Sequence, residues 1–142
     1  MVSLPASSAP AAGSAGQDAA THKELVETAI PWSGFLALEA KVKAATLAAN
    51  RETTGRAGTC TVRFTHLYPD GPAPTFTWHA YGDKARLPEQ FRAIKSAASQ
   101  AMIDAGGTIT HHHALWRDHR SWYDQQRLDP RGVRNPGVIV DA

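Results

Sequence analysis

The chain has 142 residues, 15 basic and 13 acidic side chains and a formal net charge of +2. That length suits one domain, and a charge so near balance argues against a dedicated nucleic-acid surface. The single Cys60 excludes an internal disulfide, and no apolar run approaches the roughly 20 residues that span a bilayer.

Residues 1–22 are mainly Ala, Ser, Gly and Pro. Such a stretch buries too little apolar surface to offset its ordering entropy, so it reads as disordered, with the folded domain over 23–142. No Lys or Arg precedes Lys23, and no apolar h-region is present. That is not a secretory signal, and with Cys60 the expected location is cytoplasmic.

A first strand is expected at residues 25–30, from Leu25, Val26 and Ile30. Pro31 and Ser33 offer helix-start chemistry, and Phe35, Leu38, Val42, Ala45 and Ala49 follow at helical spacing. Asn50 is the expected stop, and residues 51–58 read as a loop. Residues 59–67 alternate, with Cys60, Val62, Phe64 and His66 on one side of a half-buried strand. Pro69-Asp70-Gly71-Pro72 is a turn, and residues 75–81 alternate again, which predicts a hairpin. Pro88 opens a second helix with Phe91, Ile94, Ala98, Met102 and Ala105 on its buried face, and Gly106-Gly107 ends it. Residues 108–113 read as a strand or extended segment. The order β-α-β-β-α-β predicts an α+β, ferredoxin-like split βαββαβ sandwich.

Three adjacent histidines, His111, His112 and His113, are the most unusual local feature. Imidazoles offer donor and acceptor together and titrate near neutrality, so a cluster can orient a ligand or move protons. In an extended segment His111 and His113 would share one face and His112 the other. No Cys, Asp or Glu lies near them at a ligand spacing, so no metal is expected, though a small His-based metal site stays open as an alternative. A plain exposed histidine run stays open too. Tyr68 ends a strand just before the turn, a position suited either to packing or to proton transfer. Residues 117–123 combine Arg117, Arg120, a Trp and a Tyr. They read equally as a clamp for an anionic ligand or as the start of an amphipathic helix.

These residues resemble a known family. Ala105-Gly-Gly-Thr-Ile-Thr-His-His-His113 followed by Arg117-Asp-His-Arg-Ser-Trp-Tyr123 looks like the C-terminal signature of the alkyldihydroxyacetonephosphate synthases and their bacterial FAD-linked oxidase relatives. Glu27-Thr-Ala-Ile-Pro-Trp-Ser33, His66-Leu-Tyr-Pro-Asp-Gly71 and Arg134-Asn-Pro-Gly-Val-Ile139 resemble further segments of it. The resemblance implies the substrate-covering C-terminal domain of an FAD enzyme, with FAD held mainly by a separate domain or subunit. It implies exchange of an acyl for an alkyl chain in ether lipid synthesis, on a lipid or small alcohol substrate. Tyr68 matches the family's acid/base tyrosine, and His111, His112 and His113 match its active-site histidines. In that reading His112, His113 and Asn135 meet the cofactor, while Arg117 and His66 face the substrate.

The sequence departs from the pattern where Leu115-Trp116 precede Arg117, and nothing in it resembles the FAD-binding domain. The expectation is therefore a chain inactive without an FAD-binding partner, with a possible homo-oligomer through exposed apolar surface. A non-catalytic remnant or binding module, and an FAD-linked oxidase of alcohols or 2-hydroxy acids, are the alternatives.

Overall fold

The computed structural model describes residues 19–112, 119 and 122. Its elements run β1 (Ala19–Glu27), a 3-10 turn (Trp32–Gly34), α1 (Phe35–Thr54), β2 (Thr59–Leu67), β3 (Pro72–Asp83) and α2 (Leu87–Asp104). The strands form one antiparallel sheet in the order β1-β3-β2. Both helices pack on one face of it and against each other. The core between these layers joins Val26 of β1, Phe76 and Trp78 of β3, Leu38 and Val42 of α1, and Ile94, Ala98 and Met102 of α2. None of the helices among the described residues is long and apolar enough to cross a membrane.

The α+β architecture is the one expected, with differences at the edges. The first strand begins at Ala19, so residues 19–22 of the stretch expected to be disordered pair with Tyr81, Gly82 and Asp83 and their neighbour Ala80. Residues 1–18 of that stretch lie outside the described residues. The β1 ladder stops at Glu27 rather than Ile30 because Pro72 and Pro74 of β3 have no N–H to give. Thr28 and Ile30 can only donate to their carbonyls, at 3.1 and 3.4 Å.

The first helix passes Asn50 by one turn and ends at Gly55, whose φ of 68° is left-handed. Asn50 is buried inside the helix, and its Nδ2 donates to the Arg56 carbonyl.

The last expected strand is absent as a ladder among the described residues. Thr108 donates its backbone N–H to the Ala29 carbonyl, and the Thr28 hydroxyl donates to the Thr108 carbonyl at 2.6 Å. Beyond that clasp the chain bends at Ile109, His111 and His112.

Gly71 shows why the turn is as tight as it is. A Cβ there would lie 2.0 Å from the Ile30 carbonyl oxygen. Backbone cannot yield as a side chain can, so Gly71→Ala is expected to lower stability by about 1–3 kcal/mol, read as a shift in the urea midpoint. An unchanged midpoint would show that the turn is free to move away from Ile30.

Candidate functional site

Tyr68 is the first residue after β2. Its backbone N–H donates to the Gly71 carbonyl at 3.0 Å, and its own carbonyl accepts from the Trp32 indole at 3.1 Å. The Pro-Asp-Gly turn and the 3-10 turn thus hold the residue from both sides. Its hydroxyl points at two histidines, 3.0 Å from His112 Nε2 and 3.3 Å from His111 Nε2. His66 joins them, its ring centroid 4.0 Å from that of His112 and stacked at 6.2 Å on Tyr68.

Alternation alone misplaces two of these groups. It puts His66 on the helix side with Val62 and Phe64. A bulge between Phe64 and His66 inserts Thr65 and re-aims the strand, so Thr65 and His66 both reach the side of Glu27. Alternation also separates His111 from His112, whereas the bends at these residues bring both to one phenol.

Glu27, the last residue of β1, is not among the site residues that the sequence points to. It is only 4 % exposed. Its Oε1 accepts from the Thr65 hydroxyl at 2.7 Å and lies 3.2 Å from His112 Nδ1, and its Oε2 accepts from the His112 backbone N–H at 3.1 Å. Burial raises the Glu27 carboxyl, but the Thr65 hydroxyl, the His112 backbone N–H and the His112 ring outweigh it and bring it from 4.5 to about 2. The site therefore holds a buried carboxylate, an imidazole and a phenol in a hydrogen-bonded line, an arrangement that can pass a proton to or from a reacting group. Nothing local in the sequence marks Glu27, because its partners Thr65 and His112 lie 38 and 85 residues away.

An open cleft of about 500 Å³ lies in front, lined by Tyr68, His111, Ala29, Pro31, Asp70 and Pro72 among others. A second, smaller cavity of about 180 Å³ lies beside β1, where Glu24, Glu27, Lys95, Thr110 and His119 meet. Trp122 donates its indole N–H to Gln100 of α2, so this part of residues 117–123 rests on the second helix. His113, Arg117 and Asn135 lie outside the described residues, as do the other C-terminal arginines and Leu115-Trp116.

Glu27, His66 and His112 each offer a ligand atom within 4.8 Å of the others, so a divalent cation could sit among them. Of the histidine run, only His112 belongs to this trio. A cation would have to compete with the Glu27–His112 hydrogen bond. For a flavin, the residues present fit one wall. Tyr68 and His111 line an open cleft with His112 bonded behind the Tyr68 hydroxyl, but neither α1 nor α2 opens on a repeated-glycine turn able to cradle a pyrophosphate.

The model of the FAD linked oxidases, C-terminal domain, matches residues 5–139. Two solved structures of alkyldihydroxyacetonephosphate synthase, in different crystal forms, share the fold. One has a TM-score of 0.57 at 16 % identity, covering 78 % of this chain and 19 % of its own. The other has 0.51 at 14 %, covering 78 % and 18 %. The chain thus spans about a fifth of the length of these enzymes. No curated protein sequence matches it.

Proposed function

The chain belongs to the family of FAD-linked oxidase C-terminal domains, and from that premise we propose that it is the substrate-facing wall of a flavin enzyme, with Tyr68 as its acid/base. The FAD is held mainly by a separate domain or subunit. The reaction proposed is that of an alkyldihydroxyacetonephosphate synthase, in which an acyl chain on dihydroxyacetone phosphate is exchanged for a fatty alcohol in ether lipid synthesis. A cytoplasmic location belongs to the same reading.

The observation that carries the proposal is the convergence of His111 and His112 on the hydroxyl of Tyr68, which lines the cleft. FAD supplies the reactive ring when bound. The residues here do the rest: Tyr68 and the histidines hold and move a proton, and His66 flanks the substrate. By the family resemblance, His113 and Asn135 are proposed to meet the cofactor and Arg117 the substrate. Exposed Trp32 bonds to the Tyr68 carbonyl and packs edge-on against exposed Phe64, with exposed Leu67 next to Tyr68 in the chain, and they give a covering domain or a second copy an apolar surface to meet.

Two measurements test this. The chain purified alone should be colourless, and co-expression with an FAD-binding protein of the same family should give a complex with about one flavin per chain. That complex should exchange the acyl group of acyl-dihydroxyacetone phosphate for a long-chain alcohol. Exchange absent but oxidation of alcohols or 2-hydroxy acids present would move the chain to the oxidase branch. A flavin bound stoichiometrically by the chain alone would overturn the separate FAD site. Failure of every FAD-binding partner to associate would favour a non-catalytic remnant.

A further inference from the structure

Glu27 stands behind His112 as seen from Tyr68, and it makes two bonds to that one histidine. We infer that Glu27 is the positioning residue of this site: it holds His112 as the Nδ1–H tautomer, so that Nε2 accepts the proton of Tyr68. The inference rests on the reading of Tyr68 as the proton-transferring group and adds a direction to it.

Geometry decides the direction. The Thr65 hydroxyl has one hydrogen and three acceptors or partners in reach: Glu27 Oε1 at 2.7 Å, the Ala73 carbonyl at 3.0 Å and Thr75 Oγ1 at 3.2 Å. The shortest contact is to the carboxylate, and charge-assisted bonds are the stronger ones, so Thr65 donates to Glu27. Oε2 meanwhile takes the backbone N–H of His112, which fixes where that residue's ring starts. An acceptor-only carboxylate oxygen then stands 3.2 Å from His112 Nδ1. A lone pair on Nδ1 would face it in repulsion, so the proton belongs on Nδ1. The free lone pair is left on Nε2, 3.0 Å from the Tyr68 oxygen. Tyr68 must donate there. Its oxygen can in turn accept from His111 Nε2–H at 3.3 Å.

The three partners therefore have different jobs. His112 receives the phenol proton when the Tyr68 O–H bond breaks and a His112 Nε2–H bond forms. Glu27 faces the imidazolium that results, and His111 faces the phenolate. The reverse transfer restores Tyr68. Each step moves one proton and needs no outside reagent.

Ring-nitrogen NMR on the full chain tests this, in chelator-treated samples at about pH 8, where free imidazole is neutral. His112 is assigned by the signal lost in His112→Gln. The wild type should show Nδ1 protonated. Glu27→Gln can donate an amide N–H to Nδ1 and should move the tautomer ratio toward Nε2–H by about tenfold or more, the factor expected from one charge-assisted hydrogen bond. Glu27→Asp keeps the charge and should stay nearer the wild type. A wild-type His112 protonated on Nε2 overturns the inference, and that spectrum decides even if Glu27→Gln fails to fold. So does an unchanged ratio in Glu27→Gln, or an equal shift in Asp and Gln. No flavin or partner enters this measurement, so failure of the flavin reading leaves its outcome standing, and the converse holds.

Discussion

Replacing Tyr68 with Phe is expected to lower turnover of the flavin-containing complex by roughly 10²–10⁴-fold, the range typical of a lost acid/base group. The change removes one oxygen. That oxygen meets His112 Nε2 and His111 Nε2, whereas the backbone anchors to Gly71 and Trp32 do not involve it. The residue is 38 % exposed, so the fold loses little by the substitution. The effect should therefore fall on the rate and not on the urea midpoint. Equal turnover by the Phe variant would remove Tyr68 from the chemistry. A large fall in stability would mean that the hydroxyl is a structural tie.

The second large effect is on acid stability. The carboxyl of Glu27 titrates at about 2 in the fold, against 4.5 when unperturbed. As pH falls below about 4.5 the unfolded chain takes up a proton that folded Glu27 still refuses. The unfolded state binds more protons in that window, so stability rises with pH there. The contribution is complete above the unfolded value and is lost as pH falls through the folded one. Its size is of order 3 kcal/mol. Urea unfolding at pH 5 and at about pH 2.5 should show this loss in the wild type, with a clearly smaller loss in Glu27→Gln. Comparing the two chains cancels the other carboxylates. Parallel slopes in wild type and variant would show that Glu27 is not held as an ionised group.

The two predictions draw on different kinds of information. Tyr68 is legible in the sequence, because its place between a strand and a Pro-Asp-Gly turn is written in consecutive residues. The histidine run is legible for the same reason. Glu27 is not. It lies 85 residues from His112, and no local pattern distinguishes it from any acid at a strand end. His66 stands out as a candidate but falls on the wrong side by period-2 counting, which cannot foresee an inserted Thr65. The strand over residues 19–22 is hidden because its small and polar residues carry no hydrophobic signal. Its pairing with the end of β3 holds it in place.

By itself the sequence determined the two helices, the β2–β3 hairpin and the α+β class, and it singled out Tyr68 and the histidines as candidates. Helical spacing, strand alternation and turn residues are properties of neighbours in the chain, and they survive without knowledge of what packs on what. Only the tertiary structure decided which way those groups point. A bulge sets the direction of His66, and a carboxylate at the end of another strand sets that of His112. Such choices depend on hydrogen-bond partners far apart in the chain, and those partners meet only once the sheet has formed.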